Sequence, residues 1–284
     1  MNCASCGKSS LVIYAKDSYL KLPVYHCREC NLFITGSSEI QLRDTLKNYY
    51  SKSVLTEEVK KIMDLDYETK VGHYLMNLWH SQYAYCKPYY QNSKNLLEIG
   101  PGIGIALKMF EELGFNVTGV ESNKNYVDFI NRKLQKGHCI LGFIEEVHLG
   151  KKFDMLWLSH CLEHMLNPHL LLRQCENFLS DNGFIFIAVP DCENIDTLKA
   201  SIYNNASSFH FSKKALTKIV NNAGFKVIRC ESMRDLSSTE RRLHRILRRT
   251  KYLGFLSEKI CPYYPFQVTN KTNGVEIRMV LKKR

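Results

Sequence analysis

The stretch "LLEIGPGIGIAL", Leu96–Leu107, decides how the rest of the chain is read. An apolar run ends in an acid, glycines follow at every second position, and a second apolar run begins. That order is strand, tight loop, helix, the form of a nucleotide cradle. No GKS or GKT follows the glycines, which excludes a P-loop. Gly100, Gly102 and Gly104 give GxGxG rather than the GxGxxG of dinucleotide sites. Glu98, two residues before Gly100, would repel a pyrophosphate and attract a cation. Glu121 ends the next apolar run, "VTGVE", where an acid can hydrogen-bond both ribose hydroxyls. S-adenosylmethionine, with a sulfonium, an α-ammonium and no phosphate, suits these residues.

Outward from the loop, apolar periods alternate. Strands are expected at about 95–99, 116–121, 138–142, 153–158 and 183–189, and helices at about 103–113, 123–136 and 168–180. Asn167-Pro168 is a cap followed by proline at the first helical position. Such alternation implies a parallel sheet with helices on both faces and a ligand at the carboxyl ends of the strands.

Toward the N-terminus, Cys3, Cys6, Cys27 and Cys30 form two CxxC turns separated by a segment suited to a β-hairpin, "LVIYAKDSYLKLPVYH". Four thiolates close a tetrahedral structural zinc shell. Lys8, Lys16, Lys21 and Arg28 would offset its negative charge. Between this ribbon and the glycine loop, "SSEIQLRDTLKNYYS" and "DYETKVGHYLMNLWHSQYAYCKPYY" read as two helices, a connector and a lid. The expected organisation is a zinc ribbon over 1–36, a helical connector over 37–91 and a nucleotide domain over 92–284. No export signal or run of 18 apolar residues is seen, so the 11 cysteines are expected in a reducing cytoplasm, with no transmembrane segment.

Downstream, "LSHCLEHM" follows the fourth expected strand and brings His160, Glu163 and His164 over the cleft. His160, first off the strand, is the preferred base for a hydroxyl acceptor. His164 is a second candidate, with Glu163 beside it to fix its tautomer, or else bonds a backbone carbonyl. A divalent ion at His160, Glu163 and His164 is a further option. His210 in "SSFHFS" precedes a helix capped by Ser212 and reads either as a substrate contact or shared base or as part of an aromatic-rich loop packed on the core, and Tyr203, Asn204 and Asn205 suit a sugar-like acceptor.

"LLEIGPGIG", "VTGVE", "FDMLWLSHCLEHMLNP" and "GFIFIAVPD" resemble the successive motifs of class I S-adenosylmethionine-dependent methyltransferases, over about residues 92–231. "FHFSKKALTKIVNNAGFKVI" resembles the helix and sixth strand of that family. With the cysteine ribbon in front, the chain is similar to members found in bacterial surface-glycan and deoxysugar pathways, and loosely to longer zinc-bearing sugar C-methyltransferases. The resemblance implies a Rossmann-like, seven-stranded, mostly parallel sheet. It implies cofactor contacts at Glu98, Gly100, Pro101, Gly102, Gly104, Glu121 and Ser122, at Phe143 and Ile144 for adenine with Glu145 nearby, and at Leu158 and Ser159. The implied reaction is methylation of a small-molecule or glycan acceptor such as a sugar or nucleotide-sugar, with O-methylation favoured. An RNA methyltransferase and a non-catalytic binding module of the same fold are the alternatives.

The net charge of +11 is uneven: residues 235–284 carry 12 basic and 4 acidic side chains. "TERRLHRILRRTKYLGFLSEKI" places Arg241, Arg242, Arg245, Arg248, Arg249 and Lys251 around Leu243, Ile246, Leu247 and Leu253, a basic amphipathic insertion at about 238–262. A solvated helix, a grip for an anionic acceptor or membrane surface, and a clamp for RNA phosphates all fit it. An RNA enzyme would show a broad basic face with exposed aromatics, which the balanced central region does not favour.

Overall fold

Apolar periodicity and caps set the elements along the chain. The computed structural model describes residues 2–36, 38–51, 57–64, 69–90, 94–249 and 254–284. Strands β1 (Leu11–Ala15), β2 (Val24–Cys27) and β3 (Leu32–Thr35) come first. Helices α1 (Glu39–Ser51), α2 (Glu57–Asp64) and α3 (Lys70–Cys86) follow. Then come β4 (Asn95–Ile99), α4 (Ile105–Glu112), β5 (Asn116–Glu121), α5 (Lys124–Lys133), β6 (His138–Leu141) and β7 (Phe153–Ser159). The next are α6 (Pro168–Phe178), β8 (Leu179–Pro190), α7 (Ile195–Tyr203), β9 (Phe209–His210), α8 (Lys213–Asn222) and β10 (Phe225–Asp235). The chain closes with α9 (Ser238–Arg249), α10 (Gly254–Ile260), β11 (Phe266–Thr269) and β12 (Glu276–Lys283).

The main sheet has the order β11-β10-β12-β8-β7-β4-β5-β6. β8, β7, β4, β5 and β6 run parallel, and β12 is inserted antiparallel to both β8 and β10. β10 therefore points the same way as the parallel set. This is the Rossmann-like, mostly parallel architecture expected, with eight strands in place of seven. The additional strand, β11, is four residues long, too short for a periodic signal, and covers the edge of β10.

Strand residues alternate between two apolar layers. Leu96, Met155, Trp157, Phe184 and Phe186 pack under α3 and α4, while Leu97, Leu156, Leu158, Ile185 and Ile187 pack under α6 and α8. Asn167 caps α6 by accepting from Leu170 N–H at 3.0 Å, as its sequence implied. α5 stops three residues before the expected boundary. There the Glu111 carboxylate captures the N–H groups of Gln135, Lys136 and Gly137 at 2.7–2.8 Å.

The ribbon is not set apart from the rest. β1, β2, β3 and β9 form one antiparallel sheet, so the last strand comes from the middle of the nucleotide-binding part. Cys3, Cys27, Cys30, Leu32 and Ile34 share a core with Leu216 and Ile219 of α8. Packing is thus continuous across the boundary expected at residue 36. Ser37 and residues 91–93, where the expected boundaries fall, lie outside the described residues. Among the described residues between the ribbon and β4 there are three α-helices rather than two, because Glu57–Asp64 forms its own amphipathic helix of about two turns. The expected basic helix is two segments, α9 and α10. Lys251 and Leu253 lie outside the described residues.

Candidate active site

The turn after β4 is built for close approach. Gly100, Gly102 and Gly104 all have positive φ (68°, 57° and 77°), which side chains beyond glycine disfavour. A Cβ at Gly100 would lie 2.9 Å from Cys161 Sγ, and one at Gly104 would lie 2.5 Å from Ile130 Cγ1. The loop is therefore folded tightly on itself: Gly100 N–H donates to the Val120 carbonyl, Gly104 N–H to the Pro101 carbonyl and Gly102 N–H to Glu121.

Two carboxylates face this loop. Glu98 is 2% exposed, and among the described residues its Oε2 has no hydrogen-bond partner. Burial, with the Glu121 charge adding, pushes its pKa up to about 8. Glu121 accepts from Gly102 N–H at 3.1 Å and from Asn123 N–H at 2.9 Å, which ties the loop to β5. An orphaned buried carboxylate beside a close-packed glycine turn fits a ligand carrying positive charge and fits a phosphate poorly. The residues present thus suit S-adenosylmethionine.

Across the cleft, the start of β12 meets the ends of β7 and β8. His160 sits in the left-handed region, φ 51°, one residue past β7. Its Nε2 donates to Glu276 Oε2 at 2.8 Å, and its Nδ1 is 3.5 Å from Glu163 Oε1. Glu276 Oε2 also accepts from Gln82 Nε2 at 2.8 Å, and Gln82 Oε1 accepts from Ser159 Oγ at 2.8 Å. Arg278, fully buried, donates to Glu276 Oε1 through Nε and to Ser81 Oγ at 2.7 Å. Burial opposes charge on His160, but hydrogen bonds and charge from Glu163 and Glu276 outweigh it and push the imidazole up to about 10. Burial likewise opposes charge on Glu276, yet Arg278 and His160 bring it down to about 2.

The four ribbon cysteines converge separately. Cys3 and Cys30 sulfurs are 3.5 Å apart, as are those of Cys6 and Cys27, and all four lie within 4.8 Å of one another. A tetrahedron with metal–sulfur bonds of about 2.3 Å spaces sulfurs by about 3.8 Å, so the quartet fits zinc. Among the described residues this is the single His/Cys/Asp/Glu group so clustered, so the ion considered at His160, Glu163 and His164 finds no support in their geometry.

A family model described as a methyltransferase domain (Methyltransf_23) matches residues 71–229, more than half of the chain. The chain belongs to this methyltransferase family. A ubiquinone biosynthesis O-methyltransferase from Glaesserella parasuis is 29% identical over 112 residues, 34% of this chain and 44% of its own length. The chain thus spans about half the length of the curated relatives it matches. Among solved structures, the plantazolicin methyltransferase BpumL in complex with S-adenosylhomocysteine aligns with TM-score 0.53 at 14% identity, covering 86% of this chain and 99% of that one. A chain from the complex of the Haloferax volcanii Trm112 methyltransferase activator with its methyltransferase aligns with TM-score 0.55 at 16% identity, covering 78% and 96%. At these identities the likeness shows the fold.

The methyltransferase's expected site residues divide by position. Glu98, Gly100, Pro101, Gly102, Gly104, Glu121 and Ser122 line the cradle together. Phe143 follows β6 and is 48% exposed, open to an adenine, whereas Ile144 is in the core. Leu158 is also buried in the core, leaving its backbone alone for a ligand, and Ser159 points its hydroxyl to Gln82 on the acceptor side. Glu163 lies nearer His160 than His164, whose Nε2 is 3.9 Å away, and His164 Nδ1 donates to the Ala206 carbonyl at 2.9 Å. His210 corrects its expected role. It is buried in β9, with Nε2 3.0 Å from Thr35 Oγ1 and Nδ1 2.7 Å from Ser201 Oγ, and burial lowers its pKa to about 3. It joins the ribbon to α7 and has no free ring nitrogen for a substrate. Sequence reasoning missed Gln82, Glu276 and Arg278. The one signal for Glu276 and Arg278 was charge in an otherwise apolar final strand, "GVEIRMVL", and Gln82 on α3 carried none.

Proposed function

We propose that this methyltransferase uses S-adenosylmethionine to methylate a hydroxyl of a small-molecule or glycan-type acceptor in the cytoplasm. The observation that carries this is His160, held by Glu276 and Glu163 at the end of β7, one residue from the Cys161 side chain that packs on Gly100. Bound S-adenosylmethionine would supply the activated methyl group. Glu98, beside the close-packed Gly100–Gly104 turn, would hold its charged amino acid end, Glu121 its ribose, and Phe143 its adenine. Glu276 fixes the Nε2–H tautomer of His160, which leaves Nδ1 to take the acceptor's proton. That nitrogen is protonated at neutral pH in the free protein, so His160 must shed its proton before acting, and turnover rises with pH. Aligning nucleophile and methyl group supplies most of the acceleration, about 7–11 kcal/mol in favourable cases.

The cysteine quartet holds a structural zinc in this reading, and its ribbon acts as a buttress: Ser212 Oγ donates to the Cys30 carbonyl at 3.1 Å, and Ser5 Oγ to that of Ala215 at 3.1 Å. Metal analysis of freshly reduced protein should find one zinc per chain. Cys27→Ser should lose it and destabilise the molecule by several kcal/mol, since metal binding is folding energy. Iron, or no metal, would overturn the assignment. The acceptor is tested with methyl-labelled cofactor and a panel of nucleotide-sugars, small phenols and transfer RNA. Label in a methyl ether of a small hydroxyl compound supports the proposal, and label confined to RNA sinks it.

A further inference from the structure

Helix α9 leaves most of itself uncovered. His244 is its one buried residue among those described. Leu243, Ile246 and Leu247 line one side at i, i+3 and i+4. Leu243 is 49% exposed and Ile246 54%, and Ile260 of α10 adds a third aliphatic side chain at 48%. Arg245, Arg248 and Arg249 lie away from that side, Arg242 flanks Ile246, and all four are exposed. The helix is anchored through Arg241 to Asp235 at 2.9 Å and through Glu240 to Arg234 at 2.6 Å. Among the described residues no carboxylate pairs with the other four arginines.

A basic face and an aliphatic face, both open on one helix, select among partners. Water suits the first and not the second. Single-stranded RNA is gripped by arginines interleaved with aromatic rings that stack on bases, and here the interleaved side chains are leucine and isoleucine. A bilayer with anionic headgroups takes both at once: the arginines lie among phosphates while the aliphatic side chains enter the acyl boundary. We propose that α9 is an interfacial helix that docks this methyltransferase on a bilayer carrying anionic phospholipids. Topology gives the docking a direction. β10 points with the parallel strands, so α9 leaves the sheet at the end that holds the glycine loop and His160. The inference does not depend on which acceptor is methylated.

The test is co-sedimentation of the full-length protein with vesicles of phosphatidylcholine alone and of phosphatidylcholine mixed with phosphatidylglycerol. Binding should require the anionic lipid and weaken with salt. Arg245→Ala, Arg248→Ala and Arg249→Ala together should lower the partition coefficient about a hundredfold, about fivefold per arginine. Leu243→Ser with Ile246→Ser should lower it by about tenfold or more, with charge unchanged. Both variants should still bind S-adenosylhomocysteine, and a triple Arg→Lys variant should keep vesicle binding. Equal binding to both vesicle types, no binding to either, or wild-type binding by either alanine or serine variant would overturn the proposal. Retention of poly(U), lost in the arginine variant, with no vesicle binding would replace the bilayer with RNA.

Discussion

On the cofactor side of the cleft, Glu98, the Gly100–Gly104 loop and Glu121 all belong to one β-α-β unit, whereas on the acceptor side Gln82 meets Ser159 across 77 positions and Glu276 across 194. Their electrostatics differ as well. Glu98 has one oxygen without a partner among the described residues and is pushed up to about 8, chiefly by burial. Glu276 is as buried but is surrounded by Arg278, His160 and Gln82, and is held down to about 2 despite burial. The first carboxylate is incomplete without a cation from outside. The second has its cations built in. In the proposed function one half of the cleft is therefore a receptor for the cofactor, and the other is a preformed network that would orient His160 for proton transfer.

If the two halves are separable, His160→Ala should lower turnover by roughly 10²–10⁴-fold and leave S-adenosylhomocysteine affinity near wild type. A parallel fall in affinity, measured by calorimetry, would show that the halves are coupled. On the cofactor side, Glu121→Ala should weaken S-adenosylhomocysteine binding by about 1.5–3 kcal/mol through loss of a charged acceptor for the ribose. Undiminished affinity would remove Glu121 from the ribose assignment.

The pH profile sharpens the comparison further. His160 is raised above the ordinary histidine value, so its imidazolium stabilises the fold fully below about pH 6.5, and that contribution is lost as pH rises toward about 10. Turnover should move the opposite way, climbing as the proton leaves. Glu276→Gln removes one carboxylate and should shift the inflection of kcat downward by about a unit or more. An unmoved inflection would mean that another group titrates. The smallest effect is a proton count. Glu98, raised to about 8 in the free protein, should ionise when a cationic cofactor arrives, so S-adenosylmethionine binding at neutral pH should release close to one proton. Calorimetry in buffers of different ionisation enthalpy reads this directly, and Glu98→Gln should abolish it.

Much of the cofactor side was legible in the amino-acid sequence because its chemistry is local. A strand ending in an acid, three glycines at αL positions and a second acid one strand later need no long-range contact to be recognised, and the parallel strands around them follow from periodicity. The CxxC pairs were legible for the same reason, since each turn brings two sulfurs together before any tertiary contact forms.

Other features carried no such local mark. Phe266–Thr269 is too short for a pattern and is a strand because the edge of β10 facing away from β12 is open to it. His210 reads from the sequence either as a substrate residue or as part of an aromatic-rich loop packed on the core. Its pairing with Phe33 across β3 and β9 favours the second, since Thr35 and Ser201 take both ring nitrogens. Glu276 and Arg278 in a final strand, and Ser81 and Gln82 on a connector helix, look like scattered polar residues when read in order. Sequence alone determined the sheet, the cradle and the cysteine quartet, because those follow from neighbours along the chain. Only the tertiary structure decided which side chains surround His160, because β12 is inserted antiparallel between β8 and β10 and carries its first residues to the same end of the sheet as the glycine loop.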